Sequence, residues 1–139
     1  MASCYRIKRT DIDYIVYGTY AGECYGNCSI MYKLENTRLL VDTTGSFFKN
    51  NSKEVTFGNH VLSNDDFLKA QAIRKEIPDM LLLSNSKEFG SPDHHDQGGI
   101  FIALKSGYII KKFYIDTDLR QIPLELRDYA KLIEKLTGY

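Results

Sequence analysis

The sequence predicts an α+β fold: an antiparallel sheet of about six strands with two main helices packed on one face, in the order β-β-β-β-α-loop-β-β-α. Three observations predict it. Runs of β-branched and aromatic residues with a period of two recur through residues 13–62 and again at 99–116. Two other segments repeat apolar residues every three or four positions, the period of a helix with one buried face. The length of 139 residues, with 43% hydrophobic and 26% charged side chains, suits a single globular domain spanning 1–139 with a well-formed core.

Residues 13–20, Asp13-Tyr14-Ile15-Val16-Tyr17-Gly18-Thr19-Tyr20, read as the first strand, which a glycine- and cysteine-bearing segment then interrupts. Cys28 to Leu34 and Thr37 to Thr43 form a hairpin around Glu35-Asn36, with Ile30, Tyr32 and Leu34 alternating with Met31 and Lys33. Gly45 to Ser52 is polar and punctuated by glycine and asparagine, hence a loop, anchored by Phe47 and Phe48. A fourth strand is expected over Lys53 to Leu62, where Val55, Phe57 and Val61 fall at even spacing, Gly58 marks a bulge and His60 is structural. Ser63-Asn64-Asp65-Asp66 then signals a helix start: a capping hydroxyl followed by carboxylates that complement the positive end of the helix dipole. Phe67, Ala70, Ile73 and Ile77 define its buried face, and Pro78 ends it by removing a backbone donor.

Residues 84–99 lack periodicity and form the longest expected loop, which makes them an economical place for a functional site. A hairpin follows: Gly99 to Lys105, the turn Ser106-Gly107, and Tyr108 to Asp116. Ile100, Ile102, Leu104, Ile109 and Phe113 share one face, while Phe101, Ala103, Ile110 and Tyr114 share the other. Apolar residues on both faces place this hairpin centrally, or require one face to be covered by helices and the other by a partner or by the chain itself. The last element is an amphipathic helix opened by Pro123, with Leu126, Tyr129, Ala130, Ile133 and Leu136 as its stripe and Gly138 beyond its end.

Charge narrows the function. Eighteen basic and eighteen acidic side chains cancel, so no global field favours nucleic acid or an anionic membrane. No apolar run approaches the roughly 20 residues needed to span a bilayer, so no transmembrane segment is expected. With Met1 as the native start the expected compartment is cytoplasmic; Ala2-Ser3-Cys4 is also what a trimmed lipoprotein signal would leave, which gives a periplasmic, lipoprotein-derived alternative. Ten tyrosines without tryptophan fit sheet surfaces where a ring packs and its hydroxyl reaches water or a partner.

Two constellations carry chemistry. Gly22-Glu23-Cys24-Tyr25-Gly26-Asn27-Cys28 sets two of the three cysteines four residues apart between glycines, a spacing open to packed thiols, a local Cys24–Cys28 disulfide, metal binding or thiol catalysis. His94-His95, flanked by Asp93 and Asp96, offers imidazole and carboxylate ligands. Cys24, Cys28, His94 and His95 would complete a tetrahedral set, for which zinc is the natural ion, if the histidine loop folded over the cysteine turn. No cofactor is otherwise expected, and no P-loop or dinucleotide fingerprint is present.

The Gly-x-Cys-x-Gly-x-Cys segment before a hairpin, the later Asp96-Gln97-Gly98-Gly99 and the Pro123-led helix resemble uncharacterised bacterial domains of the Bacteroidetes type, with Ser29 standing where a proline often follows the second cysteine. The resemblance implies a small domain, sometimes exported, with no established catalytic residues. With no complete catalytic set, the expectation is a non-enzymatic binding or interaction domain. Its partner, an unidentified protein or small ligand, would meet Tyr20, Glu23, Tyr25, His94 and His95, or a tyrosine-bearing sheet face. The alternative is a thiol-dependent metal-binding or redox protein using Cys24 and Cys28.

Overall fold

A computed structural model describes residues 6–21, 29–42, 44–49, 55–92 and 98–138. In chain order the elements are β1 (Tyr14–Tyr20), β2 (Ser29–Leu34), β3 (Leu39–Asp42), the single-turn helix α1 (Ser46–Lys49), α2 (Asn64–Lys75), α3 (Asp79–Leu83), β4 (Glu88–Phe89), β5 (Gly99–Ser106), β6 (Ile109–Ile115) and α4 (Leu124–Thr137). The six strands make one mixed sheet in the order β3-β2-β1-β5-β6-β4, antiparallel except where β4 runs parallel to β6.

Register divides the side chains between two faces. Because β1 pairs Ile15 with Leu34 and Tyr17 with Tyr32 on one side, and with Leu104 and Ile102 on the other, these six residues share a face. On that face they pack with Ala70 and Ile73 of α2, Leu81 and Leu82 of α3, and Leu126, Tyr129, Ala130 and Ile133 of α4. Val16, Tyr20, Met31, Phe101 and Ala103 point the other way and form a smaller cluster with Phe47 of α1, joined by Val55 and Phe57. The second apolar face is therefore covered by the chain itself.

The helices begin and end where local chemistry directs. Ser63 Oγ accepts the Asp66 N–H at 3.2 Å as the cap of α2. Pro78 both terminates that helical run and serves as the N-cap of α3, a short helix that the periodicity did not indicate. Lys111 lies buried in β6 on the helical face, and its Nζ donates to the Leu82 and Ser84 carbonyls at 3.0 and 3.2 Å, serving the C-terminal end of α3. Gly138 closes α4 with a left-handed backbone.

Four sequence expectations need correction. The strand expected over 53–62 is absent from its described part, where only an isolated Leu40–Val61 bridge forms; Val55 and Phe57 alternate because they pack on the second-face cluster, not because they pair in a ladder. The loop expected over 84–99 contains β4, whose two residues pair with Tyr114 and Ile115. The loop expected over 45–52 begins with α1, with Phe47 fully buried against Tyr20 and Phe101. In the β5–β6 hairpin the turn is Gly107-Tyr108, with Gly107 at φ +58°, so Ser106 pairs with Ile109. This differs from the expected register by two residues, an even step that keeps every side chain on its expected face.

Candidate functional site

The sequence candidates divide sharply. Glu23, Cys24, Tyr25, Cys28, His94 and His95 lie outside the described residues. Tyr20 is described: with 4% of its surface exposed it packs on Phe47 at 4.9 Å between ring centres and edge-on to Tyr114, within the second-face cluster. Its backbone is informative in another way. Tyr20 pairs with Ser29 across one edge of β1 and with Gly99 across the other, so the described ends of the cysteine and histidine segments are neighbours in the sheet. Among the described residues no three His, Cys, Asp or Glu side chains converge as a metal set.

A concavity lies on the helical face. Tyr17 and Tyr32, paired across β1 and β2, form its floor with their rings stacked 5.5 Å apart at 20°. Leu39 and Leu62 extend the floor, Asp66, Lys69, Ala70 and Ala72 of α2 form one wall, and Leu132, Lys135 and Leu136 of α4 form the other. The groove, open to solvent along one side, measures about 740 Å³. Ala70 and Ala72 are the small residues with which α2 lines this space.

Tyr17 is only 2% exposed, and its hydroxyl has no hydrogen-bond partner among the described residues. Fully enclosed polar atoms without a partner among those residues belong to Ser29, Arg74 and Glu134; the Tyr17 oxygen is not one of them, and so it opens onto the groove. Burial raises its pKa far above the ordinary phenol range, with Tyr32 and Asp66 adding to the effect. Burial and Asp66 push Tyr32 upward as well. Both phenols therefore remain protonated hydrogen-bond donors at neutral pH. Tyr129, deeper under α2, differs from them, because its hydroxyl donates to the Ile73 carbonyl at 2.6 Å and is satisfied.

Other buried polar groups are structural. Asp42, 4% exposed, accepts from the N–H and hydroxyl of Thr44 at 2.9 and 2.7 Å and from those of Ser46 at 2.8 and 2.7 Å. Burial alone would raise its pKa, but these bonds to the carboxylate outweigh it and hold the group below the ordinary aspartate range. Asp116 accepts from the N–H groups of Ser91 and Asp118, tying the β4 exit to the β6 exit. His60, expected to be structural inside a strand, is exposed, and its carbonyl accepts the Val41 N–H at 3.3 Å. A smaller hollow of about 230 Å³ on the opposite face, between Tyr14, Val55, Phe101 and Ile110, contains no comparable buried donor.

Comparison with family models, with curated proteins and with solved structures yields no match. Tyr17 and Tyr32 read as strand residues in the sequence, with no motif that singles them out as a site. The available signal was two tyrosines at core-facing positions of neighbouring strands, opposite a helix whose inner side carries alanines.

Proposed function

We propose that this protein is a non-enzymatic binding domain whose ligand occupies the groove between α2, α4 and the sheet. The observation that carries the reading is the Tyr17 hydroxyl, a protonated donor in a site with 2% residual exposure and no partner among the described residues. A ligand acceptor that replaces solvent on this donor contributes about 0.5–1.5 kcal/mol. Size agrees: about 740 Å³ falls within the range of small-molecule sites. Stacked aromatic rings and leucines supply the apolar part of the lining, and Asp66, Lys69 and Lys135 the charged part. The test is a fluorescence titration with the neutral probe N-phenyl-1-naphthylamine. Saturable one-to-one binding that Ala72→Trp abolishes supports the reading; binding indifferent to that substitution, or none at all, refutes it.

A second reading is favoured by the pairing of Tyr20 with both Ser29 and Gly99, which makes the described ends of the cysteine and histidine segments neighbours. In this reading Cys24, Cys28, His94 and His95 bind zinc or undergo thiol redox chemistry. Stoichiometric zinc lost in a Cys24→Ser/Cys28→Ser variant supports it. Metal-free protein whose stability is the same in oxidising and reducing buffer excludes it.

A further inference from the structure

Given the binding site proposed above, on which this step rests, the geometry points to an anionic amphiphile as the ligand: one carboxylate, sulfonate or phosphate-type group on a compact apolar body. The charged lining consists of Asp66, Lys69 and Lys135. Asp66 is already compensated, because its Oδ2 accepts the Ser63 hydroxyl at 3.0 Å and it stands in the first turn of α2, where the helix dipole favours a negative charge. Neither lysine forms an ion pair among the described residues. The groove therefore holds one net positive charge in a concave, partly apolar setting that concentrates anions.

The floor supplies the complementary requirement. Tyr17 offers a buried donor, and a charged oxygen is the acceptor that gains most from it, through a short charge-assisted bond. A purely apolar ligand would seal that donor without a partner, at a cost. A cationic ligand would meet two lysines against one carboxylate. Leu39, Leu62, Leu132 and Leu136 then accommodate the apolar body.

Two probes that share a ring system test this. N-phenyl-1-naphthylamine is neutral, and 8-anilinonaphthalene-1-sulfonate adds one sulfonate. With the full chain at low salt, the sulfonate probe is expected to bind about ten-fold more tightly than the neutral one. Lys69→Gln/Lys135→Gln is expected to weaken the sulfonate probe about five- to ten-fold while leaving the neutral probe within about two-fold. Tyr17→Phe should weaken the sulfonate probe by at least about three-fold with the same sparing of the neutral one. Equal affinities, or a sulfonate preference that survives loss of both lysines, overturn the anion inference; saturable binding of the neutral probe then still supports the groove as the site. Failure of the neutral probe to bind, or undiminished binding of both probes to Ala72→Trp, refutes the groove itself.

Discussion

Gly18→Ala sets two effects of opposite sign against each other. Backbone entropy in a strand favours alanine over glycine by about 0.5–1 kcal/mol. Contact argues the reverse, because a Cβ on Gly18 would lie 1.9 Å from the Ile30 carbonyl oxygen and 2.7 Å from the Met31 sulfur. The methionine can adjust; the carbonyl belongs to the β2 backbone. Restoring an ordinary contact of about 3.4 Å demands a displacement of roughly 1.5 Å, beyond the tolerance of an N–H···O bond. β1 cannot retreat, since its other edge pairs Gly18 with Phe101 of β5. The pairs at stake are Gly18–Met31, Thr19–Ile30 and Tyr20–Ser29. About three ladder bonds at about 1 kcal/mol each, less the entropic gain, leave a net loss of about 2–3 kcal/mol. For a domain of this size that lowers Tm by roughly 6–10 °C. Urea and thermal unfolding followed by circular dichroism measure it. An unchanged or raised Tm would refute the close β1–β2 approach and, with it, the placement of Tyr17 beside Tyr32.

Asp42→Ala should destabilise the fold by about 2–3 kcal/mol in urea, because the buried Ser46 hydroxyl and N–H lose their carboxylate. The folded-state pKa of Asp42 is lowered, so its contribution is present above the ordinary aspartate range and is lost as pH falls from about 4 toward and through the folded value; the variant's urea midpoint should decline less steeply over that acid window. Tyr129→Phe removes the 2.6 Å bond to the Ile73 carbonyl and should cost about 1 kcal/mol in the same assay. Asp79→Asn should change stability by less than about 0.5 kcal/mol, since the Arg9–Asp79 pair spans 2.9 Å with the Asp79 side chain 85% exposed.

The parts of the fold legible in the sequence are those whose side chains repeat with a clear period. β1, β2, β5 and β6 begin and end within about a residue or two of expectation because runs rich in β-branched and aromatic residues are bounded by glycine and polar turn residues. The cap at Ser63 and the stop at Pro78 set α2, and Pro123 with Gly138 bracket α4. Elsewhere the pattern misled. Val55 and Phe57 alternate as strand residues do, yet they lie over a sheet face; periodicity records burial and not hydrogen bonding. β4, only two residues long, is too short for any period, and its parallel partner is distant in sequence. The groove was less legible still. Its floor depends on β1 lying next to β2 at the matching register, and its walls on α2 and α4 standing apart over that pair, none of which a linear pattern encodes. Tyr20 illustrates the same gap: its type suited an interface, but Phe47 arriving on α1 buries it.

The central claim, that a small ligand lies on Tyr17 and Tyr32 between α2 and α4, is tested most directly by methyl-detected NMR of the intact chain titrated with N-phenyl-1-naphthylamine. Leu39, Leu62, Leu132 and Leu136 are expected to shift together and saturate at one equivalent, with contacts from the probe to the Tyr17 and Tyr32 rings. Shifts confined to Ile110 and Ala103 on the opposite face, or no saturable shifts, would contradict it.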